Sequence, residues 1–167
     1  MLGKCAVSAI VGITAMMSGG VALAQDGTGP ECGVFVHVAE VDARHFVDHG
    51  DDGPSPGDQR LSSHTLYDSE GNEVGTYHVA ATLLPQAPGD DHVFHATIVS
   101  TYPNGTITGI ALASPPNPED TSRGPHRETV RSVTGGSGDF AHATGTMTSI
   151  MLDGGRQEIT YDLICHD

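Results

Sequence analysis

The residues best placed to do chemistry in this chain are its ten histidines, because an imidazole gains and loses a proton near neutral pH. Zinc would need three or four ligands converging on one point. His92-Val93-Phe94-His95 has a ligand-like interval, but on a strand residues three apart face opposite sides. His37, His64 and His78 form no ligand motif either, His78 being out of phase with Tyr77. No metal site is expected. Ser62, Ser63 and His64 offer hydroxyls and an imidazole without an evident third member, so a hydrolytic triad is a weak reading. Gly135-Gly136-Ser137-Gly138 is glycine-rich enough to cradle a phosphate, but neither a helix-forming run nor a lysine follows it. No cofactor is implied. His45 and His49 near an acidic loop, and His126 beside Arg127, read as solvated surface groups.

The cysteines speak to compartment. Cys5 lies in a leader-like segment: Lys4, an apolar or small-residue run to Met17, Ser18-Gly19-Gly20, then Val21-Ala22-Leu23-Ala24 before Gln25. That order is a secretory signal peptide over residues 1–24, with cleavage near Ala24. The apolar run is too short and glycine-broken for a spanning helix. A lipidated cysteine would follow the run, whereas Cys5 precedes it. Export to the cell exterior or periplasm is the expectation. Cys32 and Cys165 remain, and an even count in an exported chain points to a disulfide.

Charge excludes some partners. The chain has 21 acidic and 7 basic residues, for a net charge of −14, and Lys4 is its only lysine. Such a surface repels nucleic acid and anionic headgroups, so neither nucleic acid nor, after processing, a membrane is an expected partner.

The elements that must position these side chains are strands. After a polar lead-in over residues 25–32, alternating segments with β-branched residues recur near 33–41, 60–68, 73–84, 92–102, 105–113, 127–134, 142–152 and 156–165. Nothing in the mature chain has a helical apolar period. Ser69-Glu70-Gly71-Asn72, Pro103-Asn104-Gly105 and Asp153-Gly154-Gly155 are hairpin connections, while Asp48–Asp58 and Ser114–Pro125 are longer loops. Eight strands joined mainly by tight turns predict an all-β, eight-stranded antiparallel up-and-down barrel forming a single domain over 33–167. Closure of an even-stranded barrel brings the start of the first strand beside the end of the last. Cys32 and Cys165 fall there, so their bridge would staple the seam.

Several segments resemble the allene oxide cyclase barrel superfamily, which includes the plant dirigent proteins and bacterial relatives. Leu66-Tyr67-Asp68 with Gly71-Asn72-Glu73-Val74-Gly75 looks like that family's LYD…GxxVG hairpin. Asn104-Gly105-Thr106-Ile107 resembles a later hairpin, and Val133 to Gly145 the VTGGxGxFxxAxG signature. In that signature the glycines allow a tight turn from which Phe140 can plug a barrel end. The resemblance also implies a register. Phe35, His37, Ala39 and Val41 would point inward from the first strand, His64 and Leu66 from the second, and Tyr77, Val79 and Ala81 from the third. His37 and Ala39 then stand where the plant cyclases carry a cavity glutamate and asparagine, and His64 where they carry a second asparagine. The plant reaction is therefore not expected.

With that register the interior is apolar with two imidazoles and a phenol, which suits a hydrophobic small molecule held by a few polar anchors. His37 or His64 would act as general acid or base and Tyr77 would steady a developing oxyanion. Phe35, Ala39, Val41, Leu66, Val79 and Ala81 would line the binding space. The expected function is guided cyclisation or isomerisation. The alternatives are a non-catalytic carrier or stereochemical guide, and a structural or host-interaction protein. An outward Val34, Val36 and Val38 would be apolar enough for a homo-oligomer interface.

Overall fold

The computed structural model describes residues 29–50, 52–85, 92–113 and 128–166. The expected leader over 1–24, the start of the lead-in and the loop from Ser114 lie outside them. The described chain forms β1 (Val34–Val47), β2 (Gln59–Tyr67), β3 (Glu73–Leu83), β4 (Phe94–Tyr102), β5 (Gly105–Ala113), β6 (Glu128–Gly138), β7 (Thr144–Met151) and β8 (Gln157–Ile164), with a single 3-10 turn over Asp153–Gly155. Each strand pairs antiparallel with the next, and β1 pairs with β8 from Val34↔Asp162 to Ala39↔Gln157. The result is the closed, eight-stranded antiparallel barrel that the strand pattern predicts. Cys32 is bonded to Cys165 with Cα atoms 6.0 Å apart, at the seam as expected.

Two strands outrun their predicted ends. β1 continues to Val47 because a bulge between Val41 and Ala43 lets it stay paired with β2. The extra residue reverses the alternation: Val41 faces His64 across the ladder, whereas Ala43 faces Ser63 and Arg44 faces Ser62. β6 continues through the glycines to Gly138, paired with β5 across a second bulge. Those glycines are therefore strand, not the turn itself. The reason is steric: a Cβ at Gly136 would run into the Thr106 carbonyl oxygen, and one at Gly138 into that of Asn104. Only glycine allows this close approach of strands, and the turn follows at 139–142.

Turn chemistry matches the sequence elsewhere. The Asp68 carboxylate accepts from the Glu70 and Asn72 amides and from Asn72 Nδ2, and Gly71 takes a positive φ of 85°. In the loop after β1, the Asp58 carboxylate accepts from His49 N, Ser55 N and Ser55 Oγ.

Outward positions of β1 are apolar, with Val34 and Val36 exposed and Val38 half-buried. Inward positions alternate strictly on β4, where Phe94, Ala96, Ile98, Ser100 and Tyr102 are all buried. One continuous core results, running from Leu163 and Phe140 at one end to Ala96 near the other.

Candidate functional site

The two barrel ends differ. At the disulfide end, inward side chains are fully covered: Leu66, Ile107, Phe140, Ala143 and Tyr161 have no exposed surface. Phe140 packs against Tyr102, ring centroids 5.8 Å apart, so it plugs this end as its place after the glycines predicts. At the opposite end, Leu83 and Phe94 are buried, with the Arg60 guanidinium 4.6 Å above the Phe94 ring. Deeper in that half the inward residues Val79, Ala81, Arg131 and Gln157 keep intermediate exposure. Ala81, Ala96 and Ala111 meet side by side across β3, β4 and β5, and three small side chains in a row leave that wall thin. Inward side chains are therefore less completely covered in the half away from the disulfide.

Two polar groups occupy this interior. The first is a chain of buried hydroxyls. His37 Nδ1 lies 3.2 Å from the Tyr102 hydroxyl, and the Ser100 and Tyr161 hydroxyls are 2.8 Å apart. The Tyr102 phenol interacts in turn with Tyr161 and Ser100. Phe35 stacks on Tyr161 at 4.7 Å and covers the group from the seam side. Burial is the main reason both phenols are pushed above the ordinary tyrosine range, so they stay protonated and act as hydrogen-bond donors.

The second group is His64, Tyr77 and Arg131. His64 and Tyr77 are partners across β2 and β3, with rings edge-on at 5.3 Å. His64 Nε2 lies 2.9 Å from Ser62 Oγ, but its Nδ1 and the Tyr77 hydroxyl are buried without a hydrogen-bond partner in the protein. Leaving buried polar atoms unmatched costs about 1–3 kcal/mol each. Arg131 donates to Ser149 Oγ at 2.7 Å and to the Thr129 carbonyl at 3.3 Å. Its charge acts on the Tyr77 and Tyr161 phenols.

The three residues with expected chemical roles are thus all inward but do not form one cluster. His64 and Tyr77 stand together; His37 belongs to the tyrosine group and is already hydrogen-bonded. Among the expected lining residues, Ala39 and Leu66 are in the sealed core, while Phe35, Val79 and Ala81 pack against it. Val41 sits at the bulge, beside a shallow cleft with Glu40, Arg44 and Arg156. Ser100, Tyr102, Arg131 and Tyr161 were not among the expected site residues. For Ser100, Tyr102 and Tyr161 the signal was present, since each lies in the apolar phase of its strand; Arg131, in phase with Thr129 as well as Val133, carried none. Among the described residues, no group of three or more His, Cys, Asp or Glu side chains is arranged to hold a metal.

Burial holds both imidazoles below the ordinary value of 6.5, opposed by Asp68 at His37 and aided by Arg44 at His64. Both are neutral at pH 7. A lowered histidine pKa means the unfolded chain takes up protons first as pH falls. Their contribution to stability is therefore complete above 6.5 and is lost as pH drops through the folded-state values. Asp58 and Asp68, held low chiefly by hydrogen bonds from His49 and Asn72, act in a separate window below 3.8. Urea midpoints should accordingly fall as pH drops below 6.5, and His64→Phe should flatten that fall. A midpoint independent of pH in this range would contradict the buried neutral assignment.

No protein-family model matches the chain, and no curated protein is similar to it in sequence. Its fold is shared with several solved structures. A pyocyanin demethylase aligns over 78% of this chain and 99% of its own, with a TM-score of 0.66 and 19% identity. AbnU, an exo-specific intermolecular Diels-Alderase, aligns over 78% and 96%, with a TM-score of 0.60 and 13% identity. The Diels-Alderase AbmU from Streptomyces koyangensis aligns over 80% of this chain and 63% of its own, with a TM-score of 0.58 and 16% identity. At such identities the likeness is one of fold.

Proposed function

We propose that this chain is an exported barrel of the allene oxide cyclase and dirigent-like kind that binds a largely apolar small molecule and guides its cyclisation or isomerisation. One observation carries the reading: the Tyr77 hydroxyl and His64 Nδ1 are buried, adjacent and unmatched inside an apolar barrel. Native interiors match their polar atoms, so an unmatched pair is a place where a ligand's polar atom completes the bonding. That barrels of this fold include two Diels-Alderases and a demethylase supports small-molecule chemistry. A disulfide supports export.

The chemistry follows from the protonation states. Tyr77, pushed up by burial, keeps its proton and donates to a carbonyl oxygen as negative charge builds there. Neutral His64, its Nε2 engaged by Ser62, presents Nδ1 to take a proton from a carbon beside that carbonyl and return it to another. That transfer is an isomerisation with no net gain or loss of protons. A pericyclic ring closure needs neither step, only a folded substrate held by the walls.

Native mass spectrometry after mild purification should find a retained organic mass. Incubated with that compound, His64→Phe should lower conversion by about 10²–10⁴-fold. His37→Phe should leave conversion largely intact, because His37 is already bonded to Tyr102. Equal conversion by His64→Phe and the parent protein would overturn the proton-transfer role. Recovery of the molecule unchanged from every variant would make the barrel a carrier.

A further inference from the structure

Resting on that reading, we infer that the barrel interior around Tyr77 takes an apolar molecule bearing an acidic group, with Arg131 as its counter-ion. The case begins with where the positive charge is. In a chain of net charge −14, the described basic residues are Arg44, Arg60, Arg131 and Arg156. Strand order puts all four toward the end away from the disulfide: Arg44 late in β1, Arg60 at the start of β2, Arg131 early in β6, and Arg156 just before β8. The disulfide end carries Glu31, Asp68, Glu70, Glu73, Asp139 and Asp162 and, among the described residues, no arginine or lysine. The described arginines are thus confined to the far end, where they stand among carboxylates of their own: Asp42, Asp48, Asp58, Glu128, Asp153 and Glu158.

Arg131 is the inward member of the set. It stands opposite the fully buried Met147 and shares its phase with the buried Val133. Its hydrogen bonds go to a neutral hydroxyl and a backbone carbonyl. Among the described residues, no carboxylate pairs with it. A guanidinium taken partly out of water without a counter-ion is a costly arrangement, and an incoming carboxylate or sulfonate would complete it through the guanidinium's planar fork of donors. The Tyr77 hydroxyl is the independent observation: it is fully buried, unmatched, and within reach of the Arg131 charge. Arg131 thus places a cation near the point where the unmatched Tyr77 hydroxyl marks a ligand's position. Thr129, Ser149 and the alanine row supply small, uncharged walls.

Two fluorescent probes with one ring system test this: 8-anilinonaphthalene-1-sulfonate, which is anionic, and N-phenyl-1-naphthylamine, which is neutral. The full chain should bind both. Arg131→Met should weaken the sulfonate about tenfold or more while changing the neutral probe less than about twofold. An equal loss of both probes, or of neither, on Arg131→Met would overturn the inference. Binding of the neutral probe alone by the parent protein would also overturn it, yet leave the small-molecule reading standing. Binding of neither would sink both. Should Arg131→Met fail to fold, displacement of the neutral probe from the parent protein decides the matter. Dodecanoate should compete at concentrations about tenfold below its methyl ester, and equal competition would be fatal to the idea.

Discussion

Replacing Cys32 and Cys165 together with serine should lower the unfolding midpoint by roughly 10–15 °C. The bridge spans a sequence separation of 133 residues, and closing a loop of that size removes about 4–5 kcal/mol of chain entropy from the unfolded state. The bond also holds the ladder that closes the barrel. β1 and β8 pair only from Val34 to Ala39, whereas β1 and β2 stay paired from Val38 to Val47. Loss of the staple should therefore open this seam first. Hydrogen exchange should show the amides of 34–39 and 157–162 losing protection ahead of those in β4 and β5. A thermal shift of only about 3 °C or less would mean that the seam holds by pairing and packing alone.

That seam is also where sequence and structure agree most fully, for a physical reason. Alternation, hairpin residues and the position of the two cysteines are all local signals, and closure of an even-stranded antiparallel sheet needs nothing more. The disagreements arise where local signals conflict with pairing. Past Val41 the alternation breaks, and a strand reading stops there; the bulge at Asp42 restores pairing in the opposite phase and carries β1 on to Val47. Gly135 to Gly138 has poor strand propensity and reads as a turn. Its glycines are nonetheless strand, because β5 approaches too closely for any Cβ at Gly136 or Gly138. The candidate site divides in the same way. Inward phase was legible for His37, His64 and Tyr77, but which of them touch was not. Proximity across a barrel depends on stagger, which brings Tyr102 to His37 over a separation of 65 residues. Arg131 was passed over because a lone arginine on a strand reads as surface until its neighbours Met147 and Val133 are known to be buried.

The second large effect concerns the sealed end. Phe140→Ala should cost about 3–5 kcal/mol, read from urea denaturation, since it removes a fully buried ring and leaves a cavity that the barrel cannot close. Collapse is blocked by the turn itself. Phe140 N donates to Ser137 O at 3.2 Å, Ala141 N to Gly138 O at 3.0 Å and Ala143 N to Phe140 O at 3.0 Å, while His142 holds a positive φ of 67°. The backbone under the ring is thus fixed from both sides. Phe140→Leu keeps most of the volume and should cost less than about 2 kcal/mol. The consequence should reach the interior polar chain, because Phe140 supports Tyr102 and Tyr102 holds His37. Water entering beside Tyr102 would relieve the burial that keeps the His37 pKa low. In Phe140→Ala the His37 ring should then titrate closer to the ordinary value of 6.5 by NMR, with His64 on the far side of the core unmoved. If both imidazoles shifted alike, the interior would be one continuous solvent space. The two polar groups would then have no separate surroundings to divide proton transfer from support.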